Sequence, residues 1–141
     1  MSVSRVLAFL GVLGLVAVSV SGRTVTAQTA APTTNVERGR YIVERVAMCY
    51  ECHSTRDPQG NIVVGTKFMG GSMPMRPPWP GNWPLQIPRI AGLPGYTDEE
   101  ATRLLTQGAI KRDGTQLRAP MPRFRMTPQD AADVIAYLRS L

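Results

Sequence analysis

The chain has 141 residues, which is room for one compact domain and a leader. Its net charge of +6 comes mostly from arginine, but the basic residues form no run and have no interleaved aromatic residues, which argues against a nucleic-acid-binding protein. Thirteen glycines, twelve prolines and an aromatic content of 6% predict long loops and a modest hydrocarbon core.

Residues 1–27 are predicted to be an export signal. A short basic start precedes an apolar stretch over residues 6–20, and small residues follow it. A membrane span needs about 20 residues, so cleavage is favoured over an anchor that stays in the membrane. Residues 28–34 are small and polar and predict a linker. The domain itself is predicted over residues 35–141, in the periplasm or otherwise exported, and membrane-anchored if the signal is not cleaved.

The first predicted element of the domain is a helix that begins at Asn35, a good N-cap residue, and continues to the first cysteine. Its core-facing side contains Val36, Gly39, Val43, Val46 and Ala47. Glycine inside a helix is unfavourable by about 1 kcal/mol relative to alanine. Gly39 therefore predicts close approach of another helix.

From residue 57 to residue 94, prolines and glycines repeatedly interrupt helix formation. An irregular stretch of this length inside a compact domain is usually functional or wrapped around something. We therefore expect a long loop region in the middle of the domain.

Two further helices are predicted from their capping residues. Thr97 and Glu100 form a capping box, and Gly108 is the stop signal of that helix. The last helix has Thr127 as its N-cap and Pro128 at its first position. The predicted fold is all-α, with three short helices and long loops.

Both cysteines and the only histidine lie in one window, as Cys49, Cys52 and His53. This Cys-x-x-Cys-His pattern is typical of c-type haem attachment. Two thiols at this spacing can add across the vinyl groups on one side of a porphyrin, and the histidine is then held under the iron as a ligand. We therefore predict one covalently attached haem c.

Three alternatives to haem attachment remain for these residues. A thioredoxin-like redox pair would require a βαβ setting, which the sequence pattern does not provide. A zinc site would require a fourth ligand. In an oxidising compartment the two cysteines could also form a plain disulfide.

The chain resembles the class I c-type cytochromes over residues 35–141. The resemblance rests on Gly39 and Tyr41 before the motif, on the motif itself, on Ala119-Pro120-Met121-Pro122, and on the final segment from Asp130 to Leu141. It implies a cytochrome c fold, in which helices and loops wrap one haem and the first and last helices cross. Gly39 would then lie against Tyr137 or its neighbours.

The resemblance also implies a methionine as the second axial ligand of the iron. Met121 lies between Pro120 and Pro122, which exclude helix and favour an extended backbone. It also fits the Pro-Met-Pro pattern of the family. Met126 is the rival, although a core contact would equally explain it.

Two axial ligands leave no open site on the iron, so we predict a one-electron carrier rather than an enzyme. Its partners would be redox proteins, such as a dehydrogenase or a terminal oxidase. Arg123 and Arg125 either mark a basic docking rim for such a partner or are simply solvated. One alternative is a membrane-anchored or complex-bound cytochrome c subunit of such an enzyme. Another is a haem sensor or catalytic haem protein with a labile methionine ligand.

Two possible roles remain open for a group of methionines and for a pair of tryptophans. The soft thioethers of Met69, Met73 and Met75 suit cuprous copper, but loop packing is favoured. Trp79 and Trp83 could donate to a haem propionate, but packing is again favoured.

Overall fold

A computed structural model of the protein describes residues 35–141 other than residues 74, 77 and 79. The predicted export signal and linker lie outside the described residues. The described part contains three α-helices and a two-stranded antiparallel sheet: α1 (Asn35–Tyr41), β1 (Gly71–Ser72), β2 (Gln86–Ile87), α2 (Asp98–Thr106) and α3 (Pro128–Arg139). Most of the rest is turn and loop, so the predicted helical fold with long loops is confirmed. The short sheet was not predicted.

The first helix changes its winding after Tyr41. It continues as a π-helix over Ile42–Val46, and a 3-10 turn over Cys49–Glu51 follows. The predicted helix is therefore present as far as Val46, but it does not reach the cysteines and is not α-helical beyond Tyr41. A π-helix has one more residue in each hydrogen-bonded turn than an α-helix, so side chains beyond it no longer follow the α-helical face. Val43 is fully buried, whereas Val46 is 60% exposed and does not face the core as predicted.

The caps of α2 and α3 are confirmed. At α2, the Thr97 hydroxyl accepts from the Glu100 amide (3.2 Å), and the Glu100 carboxylate accepts from the Thr97 amide (2.9 Å). At α3, the Thr127 hydroxyl accepts from the Asp130 amide (3.1 Å). These contacts satisfy amide groups that the first helical turn leaves without a backbone partner.

Helices α1 and α3 cross at Gly39. A Cβ atom added there would lie 1.9 Å from the main-chain oxygen of Asp133 and 2.9 Å from the Cβ of Tyr137. The expectation that Gly39 lies against Tyr137 or its neighbours is therefore confirmed. Arg38 forms ion pairs with both Asp130 and the buried Asp133 beside the crossing.

The core lies around α3 and extends toward the cysteine-containing turn. Its buried members include Val43, Phe68, Ala101, Leu105, Val134, Ile135 and Leu138. Phe68 also stands edge-on to two other rings, with centroids 6.4 Å from Tyr50 and 6.1 Å from Tyr137. Because Tyr50 lies between the two cysteines, these ring contacts connect that turn to the last helix.

Candidate haem attachment site

Cys49, Cys52 and His53 lie on one short turn of the chain. Met48 enters it in a left-handed conformation, with φ 46°, and the backbone amide of His53 donates to the carbonyl of Cys49 at 2.9 Å. Both cysteines are half-buried and both are free thiols. The turn therefore holds two available sulfur atoms and the imidazole within five residues.

The His53 side chain is buried and has one nitrogen already engaged. Its Nδ1 lies 2.8 Å from the main-chain oxygen of Pro88. A carbonyl oxygen only accepts, so Nδ1 carries the hydrogen and Nε2 of the neutral ring is left to bind a metal. Burial lowers the pKa of His53 below its usual value and outweighs the hydrogen bond to Pro88, which acts in the opposite direction. The neutral, ligating form of the ring is therefore favoured.

The segment around β1 and β2 wraps the backbone of His53. The amide of Gly70 donates to the carbonyl of His53 (3.0 Å), and the hydroxyl of Thr55 donates to the carbonyl of Gly70 (3.0 Å). Gly70 has a φ of 79°, and a Cβ there would lie 2.5 Å from the main-chain oxygen of Ile87. Glycine at position 70 thus permits close approach of the backbone around Pro88, whose main-chain oxygen contacts Nδ1 of His53.

Burial sets the protonation of the first cysteine. It raises the pKa of the Cys49 thiol to about 11, so this group stays protonated at neutral pH. A redox-active dithiol instead needs a thiolate of lowered pKa. A buried, protonated Cys49 thiol beside a fixed imidazole thus fits haem attachment better than thioredoxin-like chemistry.

Met121 lies in a turn that follows a small hairpin. The hairpin closes where the amide of Leu117 donates to the carbonyl of Ala109 (2.8 Å), and the amide of Met121 then donates to the carbonyl of Arg118 (3.3 Å). Met121 is half-buried and is not helical, as predicted. The expectation of an extended backbone is wrong, because this last hydrogen bond folds residues 118–121 into a turn.

Met126, the rival ligand, is engaged elsewhere. Its amide donates to the carbonyl of Leu105 at 3.1 Å, and its side chain packs against the core cluster. Within the described residues, Met121 is not a member of that cluster. The packing therefore gives Met126 a structural role, and ligation by Met121 stays a prediction.

The other candidate side chains have ordinary partners or high exposure. Met69 and Met75 are 45% and 60% exposed. The indole N–H of Trp83 donates to the carbonyl of Met75 at 3.0 Å, so a propionate partner is not needed to satisfy it. Trp79 lies outside the described residues. The copper interpretation of the methionines stays a prediction.

Sequence reasoning missed the acceptor that orients His53. Pro88 is one of the prolines between residues 57 and 94 that interrupt helix formation, and its role at the site depends on its main-chain oxygen. Any residue can supply such an oxygen, so the residue type carries no signal for it. A contact between Asn82 and Arg118, at 2.8 Å, was missed for a similar reason, since it joins two loops 36 residues apart.

A buried imidazole fixed through Nδ1, two free thiols on the same turn, and a mostly helical chain with long loops define the class as c-type haem proteins. The family model described as Cytochrome c matches residues 36–141, and the chain belongs to the cytochrome c family. Haem c, with its iron, is the covalently attached cofactor of this family, and Cys49, Cys52 and His53 fit its attachment motif. No curated protein matches the chain.

Two further findings concern the described part alone. None of its helices is both long and apolar enough to cross a membrane. No three of its His, Cys, Asp and Glu side chains come together in a geometry that could hold a metal ion.

Replacing Cys52 by serine is expected to leave the haem attached through Cys49 alone. One vinyl group then remains unsaturated, which shifts the pyridine-haemochrome band part of the way toward that of free haem. The measurement is the haemochrome spectrum of protein made with haem-maturation machinery, compared with the wild type. A wild-type spectrum typical of two free vinyl groups would contradict attachment at this motif.

Proposed function

We propose that the protein is a one-electron carrier in an exported respiratory or dehydrogenase chain, with His53 and Met121 as the axial ligands of its haem iron. The haem supplies an iron that alternates between ferrous and ferric states. The chain's part is to hold the two ligands with little rearrangement between those states. The environment of each of these two side chains supports the proposal. His53 is buried with Nε2 available, and Met121 is half-buried in a turn outside the core cluster.

Electron transfer follows from this ligand set. His53 and Met121 would both bind the iron and leave no open site for dioxygen or peroxide, so the protein is proposed to be a carrier and not an enzyme. The thioether of Met121 is soft and uncharged and favours ferrous iron, which raises the reduction potential.

Export is proposed from residues 1–27, with residues 28–34 as the linker to the domain over residues 35–141. N-terminal sequencing of the protein purified from its native membrane and soluble fractions tests this. A start near Gln28 is expected. A retained apolar segment would favour the anchored subunit of a larger complex instead.

The redox partner is proposed to present an acidic docking face. No Asp or Glu occurs between Asp57 and Asp98 or between Asp113 and Asp130. These two stretches carry a set of exposed arginines: Arg76, Arg89, Arg118, Arg123 and Arg125. The second stretch contains Met121, so the loops next to the proposed ligand are positive. Such a field speeds encounter with a negative partner.

This charge arrangement can be tested with small redox reagents of opposite sign. We expect electron transfer from the reduced protein to hexacyanoferrate(III), an anion, to slow as salt is added. Transfer to tris(phenanthroline)cobalt(III), a cation, should become faster. Replacing Arg123 and Arg125 together by glutamate is expected to lower the low-salt rate with the anion about threefold or more. Stopped-flow absorbance measures both rates.

Arg103→Glu is the control, because Arg103 lies on α2, outside the two stretches that lack Asp and Glu. It should change the rate with either reagent much less than the paired substitution does. Equal salt dependence for the two reagents would contradict a positive electron-exchange face while leaving the proposed ligands of the iron untouched.

A further inference from the structure

Residues 73–85 join β1 to β2 and contain five prolines. We call them the Pro-rich loop. At its base, the amide of Met73 donates to the carbonyl of Leu85 (3.0 Å). Farther out, the indole of Trp83 donates to the carbonyl of Met75 (3.0 Å). Together with the strand pairing, these contacts close the loop on itself.

The same base is attached to His53 from both sides. Gly70, just before β1, donates its amide to the carbonyl of His53 (3.0 Å). Pro88, just after β2, accepts from Nδ1 of the imidazole (2.8 Å). Both ends of the β1–β2 hairpin that carries the Pro-rich loop are therefore hydrogen-bonded to His53, the residue proposed as the first axial ligand.

Arg118 joins this loop to the turn that contains Met121. Nη1 of Arg118 donates to Oδ1 of Asn82 in the Pro-rich loop at 2.8 Å. The main-chain oxygen of Arg118 accepts from the amide of Met121 at 3.3 Å. The side chain of Arg118 thus contacts the Pro-rich loop, and its backbone contacts the turn of Met121. Because the donor is a charged guanidinium, the contact to Asn82 is stronger than a neutral hydrogen bond.

We propose that Asn82 and Arg118 are positioning residues that hold the turn of Met121 in place and slow the exchange of its thioether for other ligands. The inference rests on the proposed ligation by Met121. Both side chains are exposed, so the contact adds little to global stability. Its effect is local: without it, the turn of residues 118–121 loses its side-chain tie to the Pro-rich loop and opens more often.

The test is the rate at which imidazole binds the ferric holoprotein, because an external ligand enters only when Met121 leaves. Imidazole is chosen because it binds in its neutral form, so the loss of the positive charge of Arg118 does not by itself change its rate of binding. Asn82→Ala and Arg118→Ala are each expected to raise this rate about threefold, within the range that one hydrogen bond accounts for. The double variant should be no faster than either single one, because both substitutions remove the same contact.

Two further variants separate positioning from charge and from folding. Asn82→Asp keeps an oxygen acceptor and is expected to retain the wild-type rate or a slower one. Arg103→Ala removes the same charge from α2, outside the loop and the turn that Arg118 joins, and it should leave the rate unchanged. The midpoint of thermal unfolding should be the same in all of them.

The outcomes distinguish this inference from the one it rests on. Unchanged imidazole rates in both single variants, with the ferric thioether-to-iron band intact, would overturn the positioning role and leave Met121 as the ligand. Additive effects in the double variant would also overturn it. Absence of that band from the wild type would reject ligation by methionine and, with it, the positioning role.

Discussion

Replacing Met121 by alanine is expected to abolish the ferric thioether-to-iron absorption band and to lower the reduction potential. The thioether favours ferrous iron, and water or another ligand that takes its place does not. Axial ligands set haem potentials over about 0.8 V, so the fall should be a sizeable part of that range. The variant should also bind carbon monoxide readily in its ferrous form, because one axial position is then open.

Absorbance spectra of the purified ferric and ferrous protein measure the band and carbon monoxide binding, and a potentiometric titration measures the reduction potential. Met126→Ala is the matched control, since it removes the same side chain five residues away. It is expected to keep the band and potential but to lower the free energy of unfolding by about 2 kcal/mol, because Met126 packs on the core. Loss of the band in Met126→Ala and its retention in Met121→Ala would reverse the assignment.

The haem motif was predictable because its chemistry depends on spacing along the chain. Cys49, Cys52 and His53 are close in sequence, so any fold that preserves the turn brings them together. The orientation of the imidazole was not predictable, because it depends on a carbonyl oxygen 35 residues away. Met121 could be singled out by its flanking prolines, whereas the packing of Met126 that supports this choice required the core contacts.

The helix caps were predictable for the same reason. Thr97 and Glu100 contact each other across one turn, so sequence alone determines the pair. The π-helix after Tyr41 was not, because α-helical periodicity assumes a constant number of residues per turn. Val46 shows the consequence: it fits the α-helical face in sequence and is exposed in the fold.

The crossing of the first and last helices connects these local features to the haem site. Gly39 allows α1 to approach α3, and the chain then runs from α1 through the π-helix to the cysteines. Tyr137 on α3 contacts Phe68, and Phe68 contacts Tyr50 within the motif. A disturbance at the crossing should therefore affect the stability of the whole domain and not only that of the terminal helices.

Replacing Gly39 by alanine is expected to destabilise the protein by about 2 kcal/mol or more. The added Cβ would lie 1.9 Å from the main-chain oxygen of Asp133 and 2.6 Å from its carbonyl carbon. Neither atom can rotate away, so the helices must separate. Overpacking of this kind costs about 3 kcal/mol at the upper end of its common range, and the better helix propensity of alanine offsets about 1 kcal/mol of it.

Guanidinium chloride unfolding of the ferric holoprotein, followed by helical circular dichroism and by the haem absorbance, measures this loss. Gly81→Ala is the matched control, because a Cβ at Gly81 meets no atom within 4 Å. That variant should unfold within about 0.5 kcal/mol of the wild type, as surface substitutions generally do. If Gly39→Ala were as stable as Gly81→Ala, the close approach of α1 to α3 at this residue would be contradicted. If the circular dichroism and the haem absorbance change at the same denaturant midpoint, the crossing and the haem site unfold as a single cooperative unit.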